Sequence, residues 1–119
     1  MQGKIPEAEK LIAQAEKSGS ATSHDSLVMA YNTLGDYYQD KNDNDHAISY
    51  FSRAADAATD PSDNAYARLS LAQCYMSQKK NAEALAQLKT ADALPNLPQD
   101  DKEMVEIFLK PLQKAPSKP

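Results

Sequence analysis

Tryptophan is absent from the 119 residues, phenylalanine occurs twice, glycine three times and cysteine once. Each shortage narrows what the chain can be. A single cysteine, Cys74, forms neither an internal disulfide nor an all-cysteine metal site. It falls within a helical apolar stripe, where a free cysteine acts as a small buried hydrophobe, and it fits a reducing compartment. Three glycines leave little of the strained backbone that many active sites use. No glycine-rich phosphate loop, nucleophile elbow or His-Glu-x-x-His occurs, so no catalytic residue and no cofactor are expected and the chain does not read as an enzyme. The formal net charge of −4 speaks against nucleic acid, which needs a clustered basic surface. The paired lysines in mid-chain, Lys79 and Lys80, fall at a helix end, where they complement the helix dipole. No apolar run approaches the roughly 20 residues of a membrane span, and the opening residues carry no signal-like apolar region. The expectation is a soluble chain, with the cytoplasm slightly favoured.

What is present fits one globular domain: 41% apolar and 25% charged residues, with seven prolines. With so little aromatic bulk, alanine, leucine and six tyrosines must fill the core, which favours closely packed helices over one thick centre.

An internal repeat organises those residues. Offset by 37, Tyr31, Leu34, Gly35 and Tyr38 fall on Arg68, Leu71, Ala72 and Tyr75, and Ala47, Phe51 and Ala54 fall on Ala84, Leu88 and Ala91. Only Tyr31 against Arg68 changes the chemistry. Within the first unit, Leu27, Tyr31, Leu34 and Tyr38 recur at helical spacing, and Ala47, Ile48, Phe51, Ala54 and Ala55 do so again. Gly35, Ala47, Ala72 and Ala84 are small where two antiparallel helices would touch, while Tyr38, Phe51, Tyr75 and Leu88 fill the space beyond. Residues 41–44 punctuate the first pair, with asparagine for a left-handed turn and aspartate for an N-cap. Asp60 and Pro61 open the next helix as N-cap and first helical residue. Residues 78–81 close that helix and cap its partner.

These positions resemble the tetratricopeptide repeat: Tyr31-x2-Leu34-Gly35-x2-Tyr38 with Ala47-x3-Phe51 and Ala54, then Leu71-Ala72-x2-Tyr75 with Ala84-x3-Leu88 and Ala91. The spacing of 37 exceeds the family's 34, and the extra residues are assigned to the turn at 59–63. Offset by 39, Ala8, Ile12 and Ala15 fall on Ala47, Phe51 and Ala54, so residues 6–17 look like the second helix of a half repeat. A long polar loop, residues 18–23, follows it. Full repeats are placed at 26–59 and 61–94. At offset 37, Phe108, Leu109 and Leu112 fall on Leu71, Ala72 and Tyr75, giving a capping helix at 98–112 that Pro111 disrupts, and a flexible tail at 113–119.

The resemblance implies an all-α right-handed superhelix of antiparallel hairpins. It also implies a protein-binding concave groove lined by the first helix of each repeat. Its lining is expected to be Met29, Asn32, Asp36, Gln39 and Asp40, then Tyr66, Leu69, Gln73, Met76 and Ser77, then Glu103, Glu106 and Lys110. One binding mode of the family grips a C-terminal carboxylate with inward cations. Here Asp36 and Asp40 stand where those cations would be, and carboxylates repel one another. The expected ligand is instead an apolar segment, helical or extended, carrying lysine or arginine. The rival readings are a self-assembling module, with Ala8, Leu11, Ile12 and Ala15 as an apolar edge for a second copy, and a fragment of a longer solenoid. His24, placed in the loop before the first full repeat, and Asp43-x-Asp45-His46 offer metal-ligand types, but the second set reads as ordinary helix-start chemistry.

Overall fold

A computed structural model describes residues 4–18 and 21–114. Six helices follow one another: α1 (Lys4–Ser18), α2 (Ala21–Asp40), α3 (Asn44–Ala57), α4 (Pro61–Ser77), α5 (Asn81–Asp92) and α6 (Gln99–Lys114). No strand occurs among the described residues. Each helix packs against the next, and α4 also meets α2 and α6, which makes an all-α solenoid of antiparallel hairpins.

The turns show why the chain breaks where it does. Asn42 and Lys79 both take the left-handed conformation, with φ of 61° and 62°. The amide N–H of Asp43 then donates to the Tyr38 carbonyl at 2.9 Å, and that of Lys80 to the Tyr75 carbonyl at 2.8 Å. This is the same Schellman closure twice, satisfying carbonyls that a helix end would otherwise orphan. Asp43 caps α3 by accepting from the His46 amide, and Asp60 caps α4 by accepting from the Asp63 amide, with Pro61 in the first turn. α5 departs from expectation: Lys80 is its N-cap residue and makes no side-chain capping bond. Lysine carries only donors, and a helix start needs an acceptor.

Two apolar clusters share α4. Leu34, Phe51 and Leu71 are fully or almost fully buried in the first, with Ala30, Ala47, Ala54, Ala67 and Cys74; Leu88 is fully buried in the second, with Ala65, Ala72, Ala84, Ala91, Val105 and Leu109. Burying each large side chain stabilises the fold by about 1.5–3 kcal/mol. Gly35 sits at the α2–α3 crossing. A β-carbon built on it would lie 2.5 Å from Phe51 Cε1. The small position and the bulky one therefore face each other.

Arg68 breaks the repeat because it does different work from Tyr31. Its Nε donates to Asn64 Oδ1 at 2.8 Å and a terminal nitrogen donates to Gln87 Oε1 at 2.8 Å, while Asn64 donates to the Ala55 and Ala58 carbonyls. The two side chains together tie the end of α3 to α4 and α5. Tyr31 instead donates to Glu16 of α1 at 2.9 Å.

Several expectations are corrected. Ser18 closes α1 and residues 21–23 open α2, so the long polar loop is mostly helix, and the backbone of His24 is helical too. Packing of α1 along α2 overrides the weak helix propensity of serine and threonine. The side chain of His24 lies outside the described residues. The extra residues assigned to the 59–63 turn include Pro61, Ser62 and Asp63, which form the first turn of α4. α6 runs through Pro111 to Lys114, so Gln113 and Lys114 are not tail. Proline there removes the bond to the Ile107 carbonyl, and Ile107 and Pro111 lie on an open face where water can replace it. Residues 115–119 lie outside the described residues.

Part of the apolar edge expected for self-assembly is covered by α2. Ala8 and Ile12 are 7% and 8% exposed, packed in the first cluster with Ala30, Tyr31 and Leu34 of α2. The outward positions of α1 that are described, among them Glu7, Glu9, Lys10, Gln14, Glu16 and Lys17, are mostly polar. The side chains of Leu11 and Ala15 lie outside the described residues.

Candidate functional site

Three helices, α2, α4 and α6, line one face of the stack side by side. On α2 and α4 the groove residues come from positions one helical step off the packing stripe. Met29 is 68% exposed and Tyr66 44% exposed, while Asn32, Asp36, Gln39, Leu69, Gln73 and Met76 are half-buried and Asp40 and Ser77 are exposed. Two hydrogen bonds lace the helices together across this face. The Tyr66 hydroxyl donates to Asp36 Oδ1 at 2.6 Å, and Gln39 Nε2 donates to Gln73 Oε1 at 3.2 Å.

The electrostatics follow from that arrangement. Burial raises the Asp36 carboxyl above its ordinary value; the Tyr66 hydrogen bond offsets part of this, and the Asp40 charge adds to it. Burial, then the hydrogen bond and charge of Asp36, push the Tyr66 phenol up to about 12. Asn32 Oδ1 is buried with no hydrogen-bond partner among the described residues. Asn32 lines a pocket of about 450 Å³ between α2 and the start of α4, together with Met29, Asp36, Asp60 and Asp63. Asp60 and Asp63 were not foreseen as part of this face, because in sequence they read only as helix-start residues.

On α6 the expected lining is displaced. Pro61 and Gln99, the first residues of α4 and α6, are 38 apart, one more than the repeat offset. One residue turns a helix by about 100°. Val105 and Leu109 are therefore the buried pair that meets α5, as Ala67 and Leu71 meet α3. Met104, Ile107 and Pro111 take the places of Tyr66, Leu69 and Gln73. Met104 is 48% and Ile107 62% exposed. Glu103, Glu106 and Lys110 correspond instead to Ala65, Arg68 and Ala72, on the side where α4 meets α5. Glu106 pairs there with Lys110 at 3.8 Å, and Gln99 donates to Glu103 at 3.2 Å. The structure brings Met104, with Asp100 and Asp101, against Tyr66 and Leu69. The Val105, Leu109, Leu112 spacing, matching Ala67, Leu71, Cys74, was the signal that could have found this.

A sequence comparison agrees with the repeat geometry. Residues 32–100, more than half of the chain, match the family described as Tetratricopeptide repeat. The chain belongs to that family. Tetratricopeptide repeats generally mediate protein–protein interaction. Neither the curated proteins nor the solved structures gave a match.

The remaining sequence candidates resolve into structural chemistry. Asp43 accepts from the His46 amide at 3.2 Å through Oδ1 and meets His46 Nδ1 at 2.8 Å through Oδ2. The His46 ring stacks on Tyr38, which stacks on Tyr50. No three histidine, cysteine or carboxylate groups converge as metal ligands among the described residues. No described helix is long and apolar enough to cross a membrane. Cys74 is buried, and burial pushes its thiol up to about 11, so the nucleophilic thiolate is suppressed at neutral pH.

Proposed function

We propose that this tetratricopeptide chain is a non-catalytic adaptor that holds a segment of a partner protein across the face formed by α2, α4 and α6. The observation that carries the reading is the line of exposed apolar side chains on that face, Met29, Tyr66, Met104 and Ile107, beside the carboxylates of Asp36 and Asp40. Large exposed apolar groups that are aligned and rimmed by charge mark interaction surfaces. Methionine adapts to varied partners, and aromatics anchor interfaces. The ligand such a surface suits is an apolar segment, helical or extended, with lysine or arginine set against the carboxylates.

Affinity capture from native lysate tests this by comparing the intact chain with a Tyr66→Ala, Leu69→Ala variant and with Asp36→Lys. Both variants are expected to lose a partner that the intact chain retains, and added salt weakens the retained complex. An identical set of captured proteins for all three chains would remove the groove from the binding surface.

A further inference from the structure

Resting on that reading of the groove, we propose that the cleft between α4 and α6 is its anchor pocket. Its occupant is one bulky aliphatic side chain of a partner segment that carries lysine or arginine close by. The cleft holds about 380 Å³, within the roughly 300–1,000 Å³ typical of ligand sites. Ala65 and Val105, both buried, form its floor, and Tyr66, Leu69 and Met104 form its walls. A small residue at 65 gives the cleft its depth. Because these walls offer carbon rather than hydrogen-bond partners, an ammonium or guanidinium inside would lose its hydration uncompensated. An aliphatic group enters without that cost.

Charge at the mouth decides what stands beside the anchor. Asp100 and Asp101 both border the opening, and Asp101 is held in place by the Ser62 hydroxyl, which donates to it at 2.6 Å. Tyr66, one wall of the cleft, reaches with its hydroxyl to Asp36 at 2.6 Å. The two anionic stations are therefore one tyrosine side chain apart. Of the cations on α6, Lys102 binds the Asp92 carbonyl and carboxylate at the end of α5, Lys110 pairs with Glu106 on the far side, and Lys114 stands in the last turn, at the opposite end of the helix from Asp100 and Asp101. A cationic neighbour on the partner complements this rim, and an acidic one is repelled. The cleft between α2 and α4 differs in kind, being bordered by Asp36, Asp60 and Asp63. The groove thus has an apolar socket at the α6 end and a carboxylate-lined one at the α2 end.

A phage-displayed random dodecapeptide library selected on the intact chain supplies the probe. A synthetic copy of an enriched peptide is then titrated against the intact chain, Met104→Asp and the Asp100→Asn, Asp101→Asn pair. Met104 is half exposed, so its replacement leaves the core untouched, and circular dichroism checks that each variant retains its helices. Selected peptides are expected to share a leucine, isoleucine or methionine next to lysine or arginine. Met104→Asp should weaken binding by about tenfold or more, the worth of one buried apolar side chain. The asparagine pair should weaken it less and flatten its salt dependence. Selected peptides that bind Met104→Asp as tightly as the intact chain, or that lack basic residues, overturn the anchor pocket while leaving the groove in place. No enrichment over a bare support overturns the groove reading itself.

Discussion

Replacing Gly35 by alanine adds one methyl group at the close α2–α3 crossing. The new β-carbon would stand 2.5, 2.6 and 2.7 Å from Cε1, Cδ1 and Cζ of Phe51. Comfortable carbon–carbon contact is about 3.5–4.0 Å, so the ring or the helix must yield by about 1 Å. The ring has nowhere to go. Phe51 has no exposed surface, and its ring meets Tyr66 in an edge-to-face contact with centroids 6.4 Å apart. Overpacking of this kind typically costs about 1–3 kcal/mol, and a wall of buried ring places this case at the upper end. Alanine in a helix interior returns about 1 kcal/mol relative to glycine. The expected net loss is about 2 kcal/mol. In urea, followed by circular dichroism at 222 nm, the midpoint should fall by about 1 M, for slopes of about 1–3 kcal/mol/M. Phe51→Leu supplies the control: with the ring gone, Gly35→Ala should become neutral or mildly stabilising, a positive coupling between the two sites. If Gly35→Ala raised the midpoint in the wild-type background, helix propensity would have won, and the close α2–α3 crossing would be wrong.

Other outcomes follow from single positions. Lys79→Gly should stabilise the chain by about 0.5–1 kcal/mol in the same urea assay, because a β-carbon at φ 62° is strained where glycine is not. The Tyr66 phenol, raised to about 12 in the folded chain, contributes stability that is complete below pH 10 and lost as pH climbs toward 12; alkaline unfolding should begin in that window and be shallower in Tyr66→Phe. Asp36 is raised as well, so its ionised form disfavours folding and stability falls as pH rises through its folded value. Asp36→Asn, which keeps an acceptor for Tyr66, should match or exceed wild-type stability at pH 7, with the gap closing in acid. Cys74 should resist DTNB in the native chain at pH 8 and react fully in denaturant, since its thiol is buried and raised to about 11; rapid native labelling would contradict its place between α3 and α4.

Much of the architecture is legible because the repeat writes each contact twice. Gly35 with Phe51 and Ala72 with Leu88 announce the same crossing, and the turns after Tyr38 and Tyr75 close with the same hydrogen bond. The residues of α2 and α4 that share one face followed from that register. The register of α6 did not, because the 37-residue offset was carried into a helix that starts 38 residues after α4. The apolar match of Phe108, Leu109 and Leu112 at 37 hid the better one of Val105, Leu109 and Leu112 at 38. A one-residue difference there puts Met104 and Ile107, rather than Glu103 and Glu106, in the positions that correspond to Tyr66 and Leu69. Nor did the local sequence reveal that residues 21–23 are helical, since serine and threonine have weak helix-interior propensity and suit turns equally well.

By itself the amino-acid order determined the all-α class, the two matched hairpins, the capping residues of α3 and α4 and the pairing of small with large at each crossing. All of these depend on neighbours within a few residues or on a repeated period. Only the tertiary structure decided which way α6 faces, that Ala8 and Ile12 are covered by α2, and that Asp60 and Asp63, and Asp100 and Asp101, line the clefts on either side of α4. Those facts depend on how side chains from separate helices fill a shared volume, and a rotation of 100° about one helix axis changes nothing local while exchanging one whole surface for another.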